Sequence, residues 1–324
     1  MAEKRKRSSG RKRSKGRKAS SKGKNQKMNR TVLYVMIAII ALLCVGFFVD
    51  PEELAKLTGG NSRSESGSRD ELTVHFIDVG QGDSILITAG DDSMLIDCGE
   101  IGKAPVVENY LASQGVDQLD YVIGTHPHSD HMGCMDEIVN YYDIGELILP
   151  HLPDKDIPTT KYFERFLDAA EARGLNMTEA KVGRKISIGD GECEIIAPCS
   201  EKYSNTNNYS VGVIIRHGGN SFLLTGDAET SAEKEMLESG RITDVDVYKA
   251  GHHGSDTSSS DEFLDKASPE IAVISCGTGN SYGHPSESTI DKFEERGIEV
   301  YRTDLSGTVR ITSDGKELSV STER

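Results

Sequence analysis

The stretch that most constrains this chain is 120–133, DYVIGTHPHSDHMG, in which three histidines and an aspartate fall within six residues directly after an apolar β-type run. A strand that ends at Thr125 delivers the next residues to a sheet edge. His126 and His128 stand two apart, so an extended loop turns both to one side. Asp130 and His131 arrive as the chain bends into a helix. Imidazole and carboxylate groups are ligands for borderline cations such as zinc. Four of them on one loop can serve two neighbouring metals, His126 and His128 holding one, Asp130 and His131 the other. The whole chain has only nine histidines, so three in six positions point to a ligand loop rather than to an ordinary polar surface. The loop cannot close two coordination spheres by itself, and distant stretches must supply the rest.

Two later segments offer those groups. In SFLLTGDAE, Asp227 follows an apolar strand, and Gly226 lets the backbone approach closely. A carboxylate there can bridge two cations; it can equally cap the helix expected over 228–239. In VDVYKAGHHGS, His252 and His253 end another strand between glycines, with Ser255 as a candidate substrate contact. One histidine of the pair is expected to bind metal and the other to face substrate or support a ligand. His284, in NSYGHPSES, is a weaker candidate that either meets a leaving group or phosphate or closes a loop. Asp97, ending the run MLID, can orient a metal-bound imidazole. Asp78 and Asp83 lie in FIDVGQGDS, where Gly80 and Gly82 permit a turn whose N–H groups could face an anion. Turn chemistry explains these three acids equally well.

The rest of the chain divides by composition. Residues 1–30 are dominated by Lys and Arg, with Glu3 the one acid, and are too poor in apolar groups to bury a core. Residues 31–49, TVLYVMIAIIALLCVGFFV, carry no charge. As a helix they would span roughly 28 Å, close to the hydrocarbon thickness of a bilayer. The cations before them place the N-terminus in the cytoplasm and the remainder outside. An uncleaved anchor is favoured over a signal peptide, because no small-x-small site follows Cys44. Residues 50–70 read as a flexible linker, and 71–324 as one folded domain. The chain as a whole carries −15 despite its basic tail, so the body is strongly acidic and argues against broad non-specific binding of nucleic acid. Of six cysteines one lies in the apolar run. The odd number left argues against a disulfide framework, Cys193–Cys199 being the one bridge kept open.

Within the body, short β-type runs alternate with amphipathic runs. Strands are expected at 72–79, 83–89, 92–97, 120–125, 145–149, 185–189, 192–196, 211–217, 220–225, 244–250, 271–276, 298–302, 307–313 and 316–321. Helices are expected at 104–114, 131–142, 160–173, 228–239, 259–267 and 286–296. Such a pattern fits two sheets packed face to face with helices outside.

The segments HFIDVGQGDSILI, MLIDCG, THPHSDHMGC, NNYSVGVII, FLLTGDAE, KAGHHGS and SYGHPS together resemble the metallo-β-lactamase superfamily, and more closely the soluble domain of ComEC-type competence proteins and their free-standing relatives. The resemblance runs from about 74 to 310. It implies an α/β fold, an αββα sandwich, here preceded by one transmembrane helix. It also implies that His126, His128 and Asp227 hold one metal, and that Asp130, His131, Asp227 and one of His252 and His253, with His253 favoured, hold a second. The third histidine usual for the first metal is missing. The NNYS segment, with Asn207 and Asn208, stands in its place, and Asn208 is taken as a substrate contact. Asp97 and Asp78 are taken as supports for ligands. The cofactor expected is Zn2+, one or two ions, with Mn2+ as the alternative.

The function implied is hydrolysis by a metal-activated water, with Asp130 orienting that water and His252 or His284 protonating the leaving group. A phosphodiester is the expected substrate, DNA among them. The rival readings are a cell-wall phosphoester esterase of the phosphorylcholine type and a non-catalytic extracellular DNA-binding module.

Overall fold

The computed structural model describes residues 71–324, Asn176 excepted. The expected tail 1–30, apolar span 31–49 and linker 50–70 lie outside the described residues. Among the described residues no helix is long and apolar enough to cross a membrane.

Two sheets make up the body. The first contains β1 (Leu72–Phe76), β2 (Ile85–Ala89), β3 (Asp92–Ile96), β4 (Gln118–Ile123), β5 (Asp143–Leu149) and β6 (Met177–Glu179), joined at its other edge by β14 (Val309–Ser313) and β15 (Leu318–Thr322). Its strand order is β15-β14-β1-β2-β3-β4-β5-β6. The second contains β7 (Lys185–Ile188), β8 (Gly191–Ala197), β9 (Gly212–His217), β10 (Asn220–Leu224), β11 (Val247–Lys249), β12 (Ile271–Ile274) and β13 (Glu299–Arg302), in reverse sequence order. Each sheet is antiparallel on one side and parallel on the other, the change falling at β3 and at β10.

Residue alternation explains the layers. Ile85 and Ile87 of β2, Val213 and Ile215 of β9, and Phe222 and Leu224 of β10 enter the core between the sheets. Their neighbours point outward under helices. Leu86, Leu95, Val122 and Leu147 are covered by α1 (Ala104–Ser113), α3 (Met135–Tyr141) and α4 (Lys161–Arg173). Ile214, Leu223, Tyr248 and Ala272 are covered by α5 (Thr230–Glu238), α6 (Asp261–Ala267) and α7 (Glu287–Glu295). Strands buried on both faces read as continuous apolar runs, and each fully buried Leu, Ile or Phe contributes about 1.5–3 kcal/mol. The result is the expected αββα sandwich. Parallel strands joined through helices leave their C-terminal ends on one edge, where such sheets place ligands.

The differences from expectation are local. The helix expected over 131–142 is two, α2 (Ser129–Met132) and α3, because Cys134 leaves the helical region at φ −118° and ψ +22°, while Gly133 N donates to Gly99 O at 3.0 Å. The three-residue β6 and the single-turn α8 (Thr303–Ser306) are too short to show a period in sequence. The strand expected over 244–250 shrinks to three residues. The Cys193–Cys199 bridge is absent: both are free thiols, Cys193 in the inter-sheet core and Cys199 exposed.

Candidate metal centre

Four strand ends and two loops meet at this edge. Asp97 follows β3, the 125–131 segment follows β4, Asp227 follows β10, and His252 and His253 follow β11. The β1–β2 loop brings Asp83, and the turn before β9 brings Asn207 and Ser210. Two glycines allow these segments to touch. A Cβ on Gly82 would fall 2.1 Å from Asp130 O, at a φ of +121°. One on Gly226, φ +54°, would fall 2.9 Å from the Ser210 hydroxyl, which accepts from Asp227 N at 3.0 Å. His252 and His253 both have left-handed backbone, φ +50° and +55°. Such residues cost of order 1–3 kcal/mol each and cluster at functional sites.

The imidazoles converge on one carboxylate. Asp227 Oδ2 lies 3.2 Å from His131 Nε2, 3.4 Å from His253 Nε2, and 3.8 Å from Nε2 of His126 and of His252. His131 Nε2 and His253 Nε2 are 3.3 Å apart, and Asp130 Oδ2 is 3.2 Å from His253 Nε2. His128 Nδ1 is 3.0 Å from His126 Nε2. Asp83, His131, Asp227 and His253 each bring a ligand-type atom within 4.8 Å of the others.

The outer nitrogens are already engaged. His253 Nδ1 donates to the Ser275 carbonyl at 3.0 Å, which leaves the lone pair of the neutral ring on Nε2. His131 Nδ1 donates to Asp97 Oδ2 at 2.7 Å. Asp97, itself at φ +58°, is fixed by Thr125 N at 2.8 Å and Thr125 Oγ1 at 2.6 Å. His126 Nδ1 meets the hydroxyls of Thr125 and Ser210, each at 3.2 Å. Two lone pairs and two carboxylates facing one another at such distances need protons or a cation between them. Asp227 Oδ1 is buried without a hydrogen-bond partner. This ligand set fits a divalent cation of the zinc type.

Protonation follows the same geometry. Burial, and then the charge of His131, push His126 well below the usual histidine range; burial also lowers His128. Both are neutral at pH 7, the form that binds metal. Burial alone would lower His131 and His253. Asp227 and Asp97 together outweigh it at His131, as Asp227 and Asp130 do at His253, and both rings are held well above the usual range. Burial would raise Asp227, yet His131 and His253 hold it well below. A cation entering here would displace protons from the two raised histidines.

The cluster floors a cleft of about 460 Å³, lined by His128, Asp130, Asn207, Asp227, His252, His253 and His284 among others, with no Lys or Arg among the described residues. His252 Nδ1 lies 3.0 Å from Thr257 Oγ1. The His284 ring centre is 5.4 Å from that of His252, and its buried Nδ1 has no partner. Three candidate residues lie elsewhere. Asn208 Oδ1 accepts from Glu229 N at 3.0 Å, and Asn207 lines the cleft instead. Ser255 Oγ turns to Thr257 Oγ1 at 3.1 Å and is absent from the cleft lining. Asp78 pairs with Arg324 and accepts from Gly80 N at 3.1 Å, in a neighbouring depression. Sequence reasoning also undervalued Asp83 and passed over Lys249, Ser210 and Tyr162, whose hydroxyl donates to Pro127 O at 2.6 Å and so pins the histidine loop. An acid five residues beyond Asp78, between two glycines and an apolar strand, was the available sign for Asp83.

The sequence profile of the metallo-beta-lactamase superfamily matches residues 77–278, and the chain belongs to that superfamily. Its domain is of the ComEC type. It is 32% identical over 286 residues to the competence protein ComA of Neisseria gonorrhoeae, covering 86% of this chain and 38% of that protein. It is 31% identical over 259 residues to ComE operon protein 3 of Bacillus subtilis (strain 168), covering 74% of this chain and 33% of that protein. The chain thus spans about a third of the length of these relatives. Among solved structures it is similar to Igni18, a novel metallo hydrolase from Ignicoccus hospitalis, with 17% identity, a TM-score of 0.47 and coverage of 74% of this chain and 98% of that one.

Proposed function

We propose that the chain is a metal-dependent phosphodiesterase, anchored by residues 31–49 and acting outside the cell, with nucleic acid among its substrates. The observation that carries the reading is the convergence of His126, His131 and His253, from two distant stretches, on the single oxygen Asp227 Oδ2 at the floor of an open cleft. His126, His128 and Asp227 would hold one cation, and Asp130, His131, Asp227 and His253 another. A divalent cation bound there supplies Lewis acidity, which makes water a nucleophile near neutral pH and offsets charge developing on a phosphoryl oxygen. The residues do the remainder. Asp97 and the Ser275 carbonyl hold His131 and His253 with Nε2 inward. Asp130, half-buried at the cleft, accepts a hydrogen bond from water and aims it. His252 faces the cleft and can protonate the leaving oxygen. His284, held low by burial and by His252, is neutral at pH 7 and enters as a hydrogen-bonding neighbour rather than as the acid. The competence names of the relatives support a nucleic-acid substrate. That no Lys or Arg lines the cleft among the described residues favours short or single phosphodiesters over a long polyanion held by its backbone.

The test is a substrate panel on the full chain loaded with Zn2+ or Mn2+. It should cleave bis-p-nitrophenyl phosphate, and Asp227→Ala should reduce turnover to background. Cleavage of phosphorylcholine esters alone would replace the substrate class. DNA binding that survives metal removal, without turnover, would replace the enzyme by a binding module.

A further inference from the structure

Lys249 ends β11, and its side chain is completely buried. Its ammonium donates to Asp83 Oδ2 at 2.8 Å and to Ala250 O at 2.9 Å. Apolar replacement of a buried ion pair is often neutral or stabilising, so the stability of the fold alone does not account for this one. The other face of Asp83 does. Its Oδ1 lies 3.5 Å from His253 Nδ1 and its Oδ2 3.9 Å from His131 Nδ1. It therefore stands at the Nδ1 edges of both rings, behind the Nε2 atoms that face each other. Its backbone joins the same pieces: Asp83 N donates to Asp130 O at 3.0 Å, and Gly99 N donates to Asp83 O at 2.8 Å.

We infer that Lys249 is a positioning residue for the metal centre: its ammonium holds the Asp83 carboxylate behind the Nδ1 edges of His131 and His253, so that both rings present Nε2 to the cation. An Asp83 released from Lys249 competes with the Ser275 carbonyl for the Nδ1 proton of His253 and turns the ring. Lys249 also neutralises one of the carboxylates crowded there, which leaves the others to the cation. Supporting groups of this kind typically change metal affinity by about 10–100-fold.

The test uses the full chain, kept in detergent and stripped of metal, as wild type, Lys249→Met, Asp83→Asn and the double variant. Zn2+ affinity is read by competition with a chromophoric chelator, ligand geometry from the visible spectrum of the Co2+ form, and folding from the thermal melt of the metal-free protein. Each single variant should bind Zn2+ about 10–100-fold more weakly with altered Co2+ bands. The double variant should be no worse than the weaker single, because Lys249 acts through Asp83. Folded single variants with wild-type affinity and spectrum would overturn the inference, and so would losses that add in the double. If Lys249→Met does not fold, Asp83→Asn decides alone: an unchanged affinity and an unchanged spectrum refute the role.

Discussion

The two groups of ligands that share Asp227 are held in different ways. On one side, His131 and His253 are locked from behind by a carboxylate and a carbonyl, at 2.7 and 3.0 Å, with Asp83 touching both. On the other, His126 leans on two hydroxyls at 3.2 Å, and His128 stands partly open to the cleft with His126 as its neighbour. His252 Nε2 lies as far from Asp227 Oδ2 as His126 Nε2 does, 3.8 Å, and Asn207 stands beside it in the cleft lining at 3.4 Å. A cation site whose ligands are preset binds more tightly than one that must order its own, so the His131–His253 side should fill first and the His126–His128 side should be the weaker.

The sharpest way to break this comparison is to remove one ligand from each side. His253→Ala should abolish the tight class of Zn2+ binding, whereas His128→Ala should keep it and lose only the weak class, as read by metal titration. Equal losses would mean that the sides do not differ. A smaller effect is expected at Asp97→Ala, which leaves every ligand in place but frees His131 Nδ1. Zn2+ affinity should drop by about 10–100-fold in the tight class alone. Smallest is a pH effect on the metal-free protein. His131 and His253 are raised on folding, so their stabilisation is complete below the ordinary histidine value of about 6.5 and is lost as pH rises through their raised values. His126 and His128 are lowered and matter only below that value. Above neutrality the metal-free melting temperature should therefore fall with pH, and saturating Zn2+, which replaces the protons, should remove the fall. A metal-free melt that rises with pH there would contradict the charge arrangement.

Much of this was legible beforehand, and the reason is physical. Ligands crowd into 126–131 because one loop must supply four groups, and Asp227 and His253 stand out because each follows an apolar strand. Asp227 could be read as a helix cap, yet Glu229 occupies the cap position and the Asp227 side chain points to the cluster. What stayed hidden depends on which way a side chain turns. Asp78 and Asp83 lie in one glycine-rich turn, and only the approach of Gly82 to Asp130 decides that Asp83 enters the site. Adjacent Asn207 and Asn208 both bond Glu229, yet only Asn207 also lines the cleft. Lys249 reads as an ordinary charge at a strand end until the β1–β2 loop of the first sheet brings Asp83 against it. The bridge left open between Cys193 and Cys199 failed because one side chain faces the core and the other solvent.

The most direct test is an equilibrium Zn2+ titration of the full chain beside its Asp227→Ala variant. The expected result is a tight and a weaker class of binding in the wild type and transition-metal binding reduced to background in the variant. A wild type that binds no Zn2+, or an Asp227→Ala protein that binds it with unchanged affinity, would show that these imidazoles do not close around a shared cation.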